Sequence, residues 1–200
     1  MKKLLLVASA LALGSSMTVA ASAQNSMPMP MAGQPGGTMS ASDVGVSPLS
    51  GISAPDYVKM AADSDMYEIT SSKLALSKSR DDSVKSFARQ MIADHTQTTK
   101  SLMAALTNGD RKIAKPGKAM STTNAANVAL LRKAPRASFD QLYMQQQMQA
   151  HQTAWALHKG FATEGTDPAL RQVAATAVPI VENHLQHLKT MPMGAPASGM

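Results

Sequence analysis

Glu68, His95, His151 and His184 are the residues of this chain whose types and spacing could do chemistry. Each lies on a stripe of apolar or small residues rather than on a polar face. His95 falls within Val84, Phe87, Ala88, Met91, His95, Thr98, Leu102 and Leu106, whose three-and-four spacing is that of a helix facing a core. His151 falls on Phe139, Tyr143, Gln147, His151, Ala154 and His158, and His184 on Leu170, Val173, Ala177, Ile180, His184 and Leu188. Glu68 lies on a narrower stripe of Tyr57, Ala61, Ser64, Glu68, Ser72 and Ala75. Three neutral imidazoles and one carboxylate suit a single transition-metal ion, Zn, Cu or Fe. The same groups could instead form a hydrogen-bonded network that fixes the register of packed helices without a metal. Gln147 and Tyr143, one and two turns before His151, are outer partners for either arrangement.

Four helices must position these residues. The first is expected over about 55–79, opening at Pro55-Asp56, and the second from Asp81-Asp82, whose carboxylates suit a helix N-terminus, to Asn108-Gly109. A long connection follows, broken at Lys115-Pro116-Gly117 and holding a short helix near 124–132. The third helix runs from near Ser138 to Glu164-Gly165. The fourth opens with Asp167-Pro168, a capping residue followed by a proline in the first turn, and carries Pro179 as an expected kink. Two hairpins joined by one longer connection give an all-α antiparallel four-helix bundle. At a rise of about 1.5 Å per residue, Glu68 and His95 differ in height by roughly 5 Å, and His151 and His184 by roughly 6 Å. All four are therefore expected near mid-height. Asp94 and Glu182 project about 100° or more off the stripes, and His158 and His187 are expected at the rim or surface.

The runs YVKMAADSDMYEITSSKLAL, VKSFARQMIADHTQ, SFDQLYMQQQMQAHQ and AVPIVENHLQHL resemble a family of secreted bacterial ferritin-like proteins. Its members go by "domain of unknown function" or "outer membrane protein". The resemblance spans about 56–190 and implies a ferritin-like bundle in the periplasm or cell envelope, with one long connection between the second and third helices. It implies no established activity. Ferritin-like di-metal proteins use Glu-x-x-His motifs, whereas the residues three before His95, His151 and His184 are Ile92, Met148 and Val181. A mononuclear site, or a bundle without metal, fits these residues better than a di-iron centre.

The rest of the chain bounds the function. Lys2-Lys3, the apolar run Leu4–Leu13 and Ala21-Ser22-Ala23 form a signal peptide over 1–23, with cleavage after Ala23 and export to the periplasm or beyond. No later run is long enough to span a membrane. Residues 24–54 and 191–200, rich in Met, Pro, Gly and Ser, are expected to be disordered, leaving the bundle over 55–190. Met27, Met29 and Met31 offer thioethers at spacing two that would suit Cu(I), although a low-complexity Met-rich linker is the simpler reading. The chain has no Cys, so neither disulfides nor a thiol nucleophile enter. Without Lys2 and Lys3, 17 basic residues face 13 acidic ones, a net charge of +4. That mild excess and only seven aromatic residues argue against a nucleic-acid partner. Envelope proteins, or a second copy of the chain, remain as partners. Neither a G-x-S-x-G motif nor a phosphate-binding glycine loop is present, so no catalytic residues are read and an enzyme would have to work through the metal site.

Overall fold

The computed structural model describes residues 37–107 and 112–191. Four long helices carry the fold: α2 (Ala54–Lys78), α3 (Asp82–Thr107), α5 (Arg136–Glu164) and α6 (Pro168–Thr190). Two short ones, α1 (Ala41–Val44) and α4 (Thr122–Lys133), flank them. Every helix but α5, which follows Pro135 without a side-chain cap, starts where the sequence offers an acceptor for its first free N–H groups. The Ser53 side chain accepts from the Asp56 N–H at the start of α2, and Asp81 Oδ1 from the Ser83 and Val84 N–H groups at the start of α3. Ser121 does so for α4, and Asp167 takes the Ala169 and Leu170 N–H groups of α6. The α6 helix runs unbroken through Pro179.

Short turns make α2–α3 and α5–α6 antiparallel hairpins. Across the other two interfaces the pairs Ser72–Tyr143 and Tyr57–His158 join α2 to α5, while Asp94–His184 and Gln90–His187 join α3 to α6. Low numbers on one helix meet high numbers on the other in both cases, so every neighbouring pair is antiparallel. The chain must therefore cross the length of the bundle between α3 and α5, and α4 makes that crossing along α2. Asp63 anchors its start by accepting from Ser121 N (2.7 Å) and Asn124 Nδ2 (2.8 Å). Lys78 anchors its end, donating to the carbonyls of Leu131, Arg132 and Ala134, which the helix terminus leaves free.

Two apolar clusters close the ends of the bundle. One gathers Tyr57, Leu102, Leu106, Leu157, Phe161 and Leu170, and the other Val84, Phe87, Met91, Phe139, Tyr143 and Leu188. Between them lies a buried polar belt of Asp65, Glu68, Ser71, Ser72, His95, Gln147, His151 and His184. Burying a polar group costs free energy unless it finds a partner, so this belt is where function should be sought.

The stretch expected to be disordered differs from Gly37 onward. Met39 and Val44 are buried against Trp155, Val178, Val181 and Leu185, and Leu49 N donates to Ala156 O at 2.9 Å. Thr38 N donates to Glu182 Oε2 at 2.6 Å. A Cβ on Gly160 would stand 1.8 Å from Leu49 O, so the strap fits only because α5 carries a glycine there. Sequence composition hides this, because a few apolar residues suffice when a preformed groove receives them. The expected signal peptide, the thioethers of Met27, Met29 and Met31, the residues up to 36 and the tail beyond Met191 lie outside the described residues.

Candidate metal centre

Helix periodicity brings His95 from α3, His151 from α5 and His184 from α6 to one point in the belt. One ligand nitrogen from each lies within 4.8 Å of the other two. All three rings are buried, His151 and His184 at 0 % exposure. His151 Nε2 and His184 Nδ1 are 3.0 Å apart.

The outer nitrogens fix how the inner ones face. His95 Nδ1 lies 2.8 Å from Asp65 Oδ1, His151 Nδ1 lies 2.8 Å from Gln147 O, and His184 Nε2 lies 2.9 Å from Asp94 Oδ2. Carbonyl and carboxylate oxygens only accept, so each of these nitrogens donates its N–H. Each imidazole, in its neutral form, then presents a lone pair inward. His151 and His184 turn two lone pairs toward each other at hydrogen-bonding distance, and His95 Nε2 is buried with no partner at all. A metal ion between them would satisfy three such nitrogens at once. An outer carboxylate or carbonyl orienting each ligating imidazole is the usual support of a metal-bound histidine.

Protonation states agree. Burial, reinforced by the charges of His184 and His95, pushes His151 well below the usual imidazole range. Burial pushes His184 down to about 4 despite its hydrogen bond to Asp94. Both are therefore neutral near pH 7, the form that binds metals. His95 is the exception. Burial opposes its charge, but the Asp65 hydrogen bond and the charges of Glu68, Asp65 and Asp94 outweigh burial and raise it.

Glu68 stands beside this set rather than within it. Its Oε1 is 3.6 Å from His151 Nδ1, the outward nitrogen, and it is not among the three mutually close ligands. Both of its oxygens are buried without a hydrogen bond of good geometry, the Gln147 side chain lying near enough only to pull the carboxyl down weakly. Burial lifts its carboxyl to about 7, against the pull of the His95 charge. A buried, unpartnered carboxylate next to three inward lone pairs supplies negative charge where a cation would sit.

The remaining expected residues fall as follows. Gln147 serves His151 through its backbone carbonyl, while its side-chain amide donates to Ser71 Oγ at 3.1 Å. Tyr143 pairs with Ser72 Oγ at 2.8 Å, a layer away from the histidines. His158 is buried, contrary to its expected place at the rim. Its Nδ1 lies 3.1 Å from Tyr57 Oη, and burial lowers it to about 4. Asp94, expected to point away, reaches His184 across the α3–α6 interface. There the His184 hydrogen bond and charge outweigh burial and hold its carboxyl below the usual range. Glu182 faces outward from the centre and accepts from Trp155 Nε1 (3.0 Å) and Thr38 N.

Asp65 is the residue that sequence reasoning missed. It accepts from His95 and also from Thr98 Oγ1 (2.9 Å) and Thr99 Oγ1 (2.8 Å), while Ser64, placed on the stripe in its stead, is half-buried. The signal was present, since Asp65 precedes Glu68 by three residues and so shares its helix face.

Residues 38–191 match the family described as "Domain of unknown function (DUF4142)", and the chain belongs to that family. Among solved structures it is similar to the crystal structure of a DUF305 fragment from Deinococcus radiodurans, at a TM-score of 0.59 and 16% identity. That likeness covers 71% of this chain and 96% of the other, and it concerns the fold alone. No curated protein matches the chain. Among the described residues no helix is long and apolar enough to cross a membrane.

Proposed function

Starting from a family with no assigned function, we propose that this protein is an exported, ferritin-like bundle that holds one first-row transition-metal ion in its core. His95, His151 and His184 are the ligands, Glu68 is the neighbouring anion, and Zn, Cu and Fe are the candidate ions. The observation that carries this reading is the set of three inward lone pairs, each backed by an outer acceptor, with His95 Nε2 and both Glu68 oxygens left unpartnered. The spacing of His151 and His184 fits, and His95 lies within 4.8 Å of both. Two nitrogens bound at about 2.0–2.1 Å in tetrahedral geometry stand roughly 3.3 Å apart, close to the 3.0 Å between His151 Nε2 and His184 Nδ1. Support for export is the N-terminal signal-type sequence. Support for the ferritin-like reading is the single long crossover between the two hairpins. Three imidazoles leave the fourth position of a tetrahedral ion to water or another donor, and the burial of the site favours holding an ion over turning over a large substrate.

A second reading is a bundle whose belt serves only register and partner binding in the envelope. It draws on the neighbouring layers, where Ser72–Tyr143, Ser71–Gln147 and Tyr67–Gln146 are satisfied without any ion. Elemental analysis and calorimetric titration of the mature protein with Zn(II), Cu(II) and Fe(II) separate the two. One equivalent bound by the wild type and none by His151→Ala supports the ion. Absence of binding and of any thermal shift with all three ions leaves the register reading.

A further inference from the structure

Resting on the metal reading, we infer that the ion reaches the three-histidine centre through the His184–Asp94 pair. Gln90 and His187 form an outer lip there that takes up a hydrated divalent cation. The three ligands differ in how they connect to solvent. The outer N–H of His151 ends on the Gln147 carbonyl inside the bundle. That of His95 ends on Asp65, whose side chain is 7% exposed and closed over by Thr98 and Thr99. That of His184 ends on Asp94, whose side chain is 37% exposed. His184 is thus the one ligand of the three whose outer partner reaches water, and its ring separates the solvent from the inward lone pairs.

The surface around Asp94 carries the donors such a route needs. Gln90, one turn earlier on α3, adjoins the Asp94 carboxylate, and its Oε1 lies 3.3 Å from His187 Nδ1. His187 follows His184 by three residues on α6, and the Phe87 ring stands edge-on to both, at 5.2 Å from His187 and 6.3 Å from His184. A carboxylate, an amide oxygen and an imidazole offer the mixed oxygen and nitrogen donors that a borderline divalent ion accepts. The Asp94 charge draws the ion in, and rotation of the His184 ring passes it to the inner nitrogens.

A route changes rates, not equilibria. Stopped-flow mixing of the mature full chain with Co(II), followed by its visible absorption, tests this. His187→Ala should slow association and dissociation together by about tenfold, the lower end of what a focusing cleft contributes to encounter, leaving Kd unchanged. Asp94→Asn should also weaken Kd by about ten- to a hundredfold, because it frees the orienting bond of His184. Asp82→Asn, the same charge change at the exposed start of α3, should do neither. Wild-type rates in His187→Ala, or a slowing no greater than in Asp82→Asn, would overturn the route while leaving the centre standing. Failure of the wild type to take up Co(II), Zn(II), Cu(II) or Fe(II) would overturn both.

Discussion

Replacing Glu68 by Gln in the metal-stripped protein should stabilise it, and the gain should depend on pH in a defined way. Burial raises the Glu68 carboxyl from 4.5 to about 7. Below pH 4.5 the group is protonated in folded and unfolded chains alike and costs nothing. Between 4.5 and 7 the unfolded chain ionises first, so stability falls as pH rises. Above 7 both states are ionised and the full cost of a buried, unpartnered carboxylate remains. The gap corresponds to about 3 kcal/mol at about 1.4 kcal/mol per pH unit. Gln carries no charge and nearly the same volume, so Glu68→Gln should match the wild type near pH 4 and exceed it by about 2–3 kcal/mol at pH 8, the attraction to His95 being already contained in that gap. In a domain of this size that is a rise in Tm of roughly 4–12 °C. Thermal and urea unfolding of both chelator-treated proteins at the two pH values measure it. Adding the bound ion should reverse the order, since the carboxylate then has a cation beside it. If Glu68→Gln instead destabilises the stripped protein at pH 8, the carboxylate is already paired, and the polar belt is a register network rather than a cation site.

Two further predictions follow from contacts elsewhere in the molecule. Asp65→Asn removes the charge that orients His95 and holds Thr98 and Thr99, so it should weaken ion binding by about ten- to a hundredfold and lower apo stability by about 1–3 kcal/mol, read by calorimetry and urea unfolding. Gly160→Ala should cost about 1–3 kcal/mol by forcing the Leu49 carbonyl off α5, and limited proteolysis should then cut near residues 45–53; an unchanged digestion pattern would show that the strap does not depend on that contact.

The apolar periodicity of the chain determined the four long helices and the presence of three histidines on inward faces. These follow from local chemistry: side chains three and four apart share a helix face, and Ser53, Asp81, Ser121 and Asp167 offer acceptors where helices begin. The outer partners were not legible in the same way. Asp65 meets His95 across a gap of 30 residues, and Asp94 meets His184 across 90. Such pairings depend on helix rotation and interaxial distance, which no single-helix pattern contains. The displacement of Glu68 to the side of the three nitrogens has the same origin, since a rise per residue gives height but not azimuth. The strap over 37–53 depended wholly on tertiary structure: its few apolar residues gain nothing alone, and only the groove of α5 and α6, opened by Gly160 and lined by Trp155 and Glu182, gives them a surface to cover.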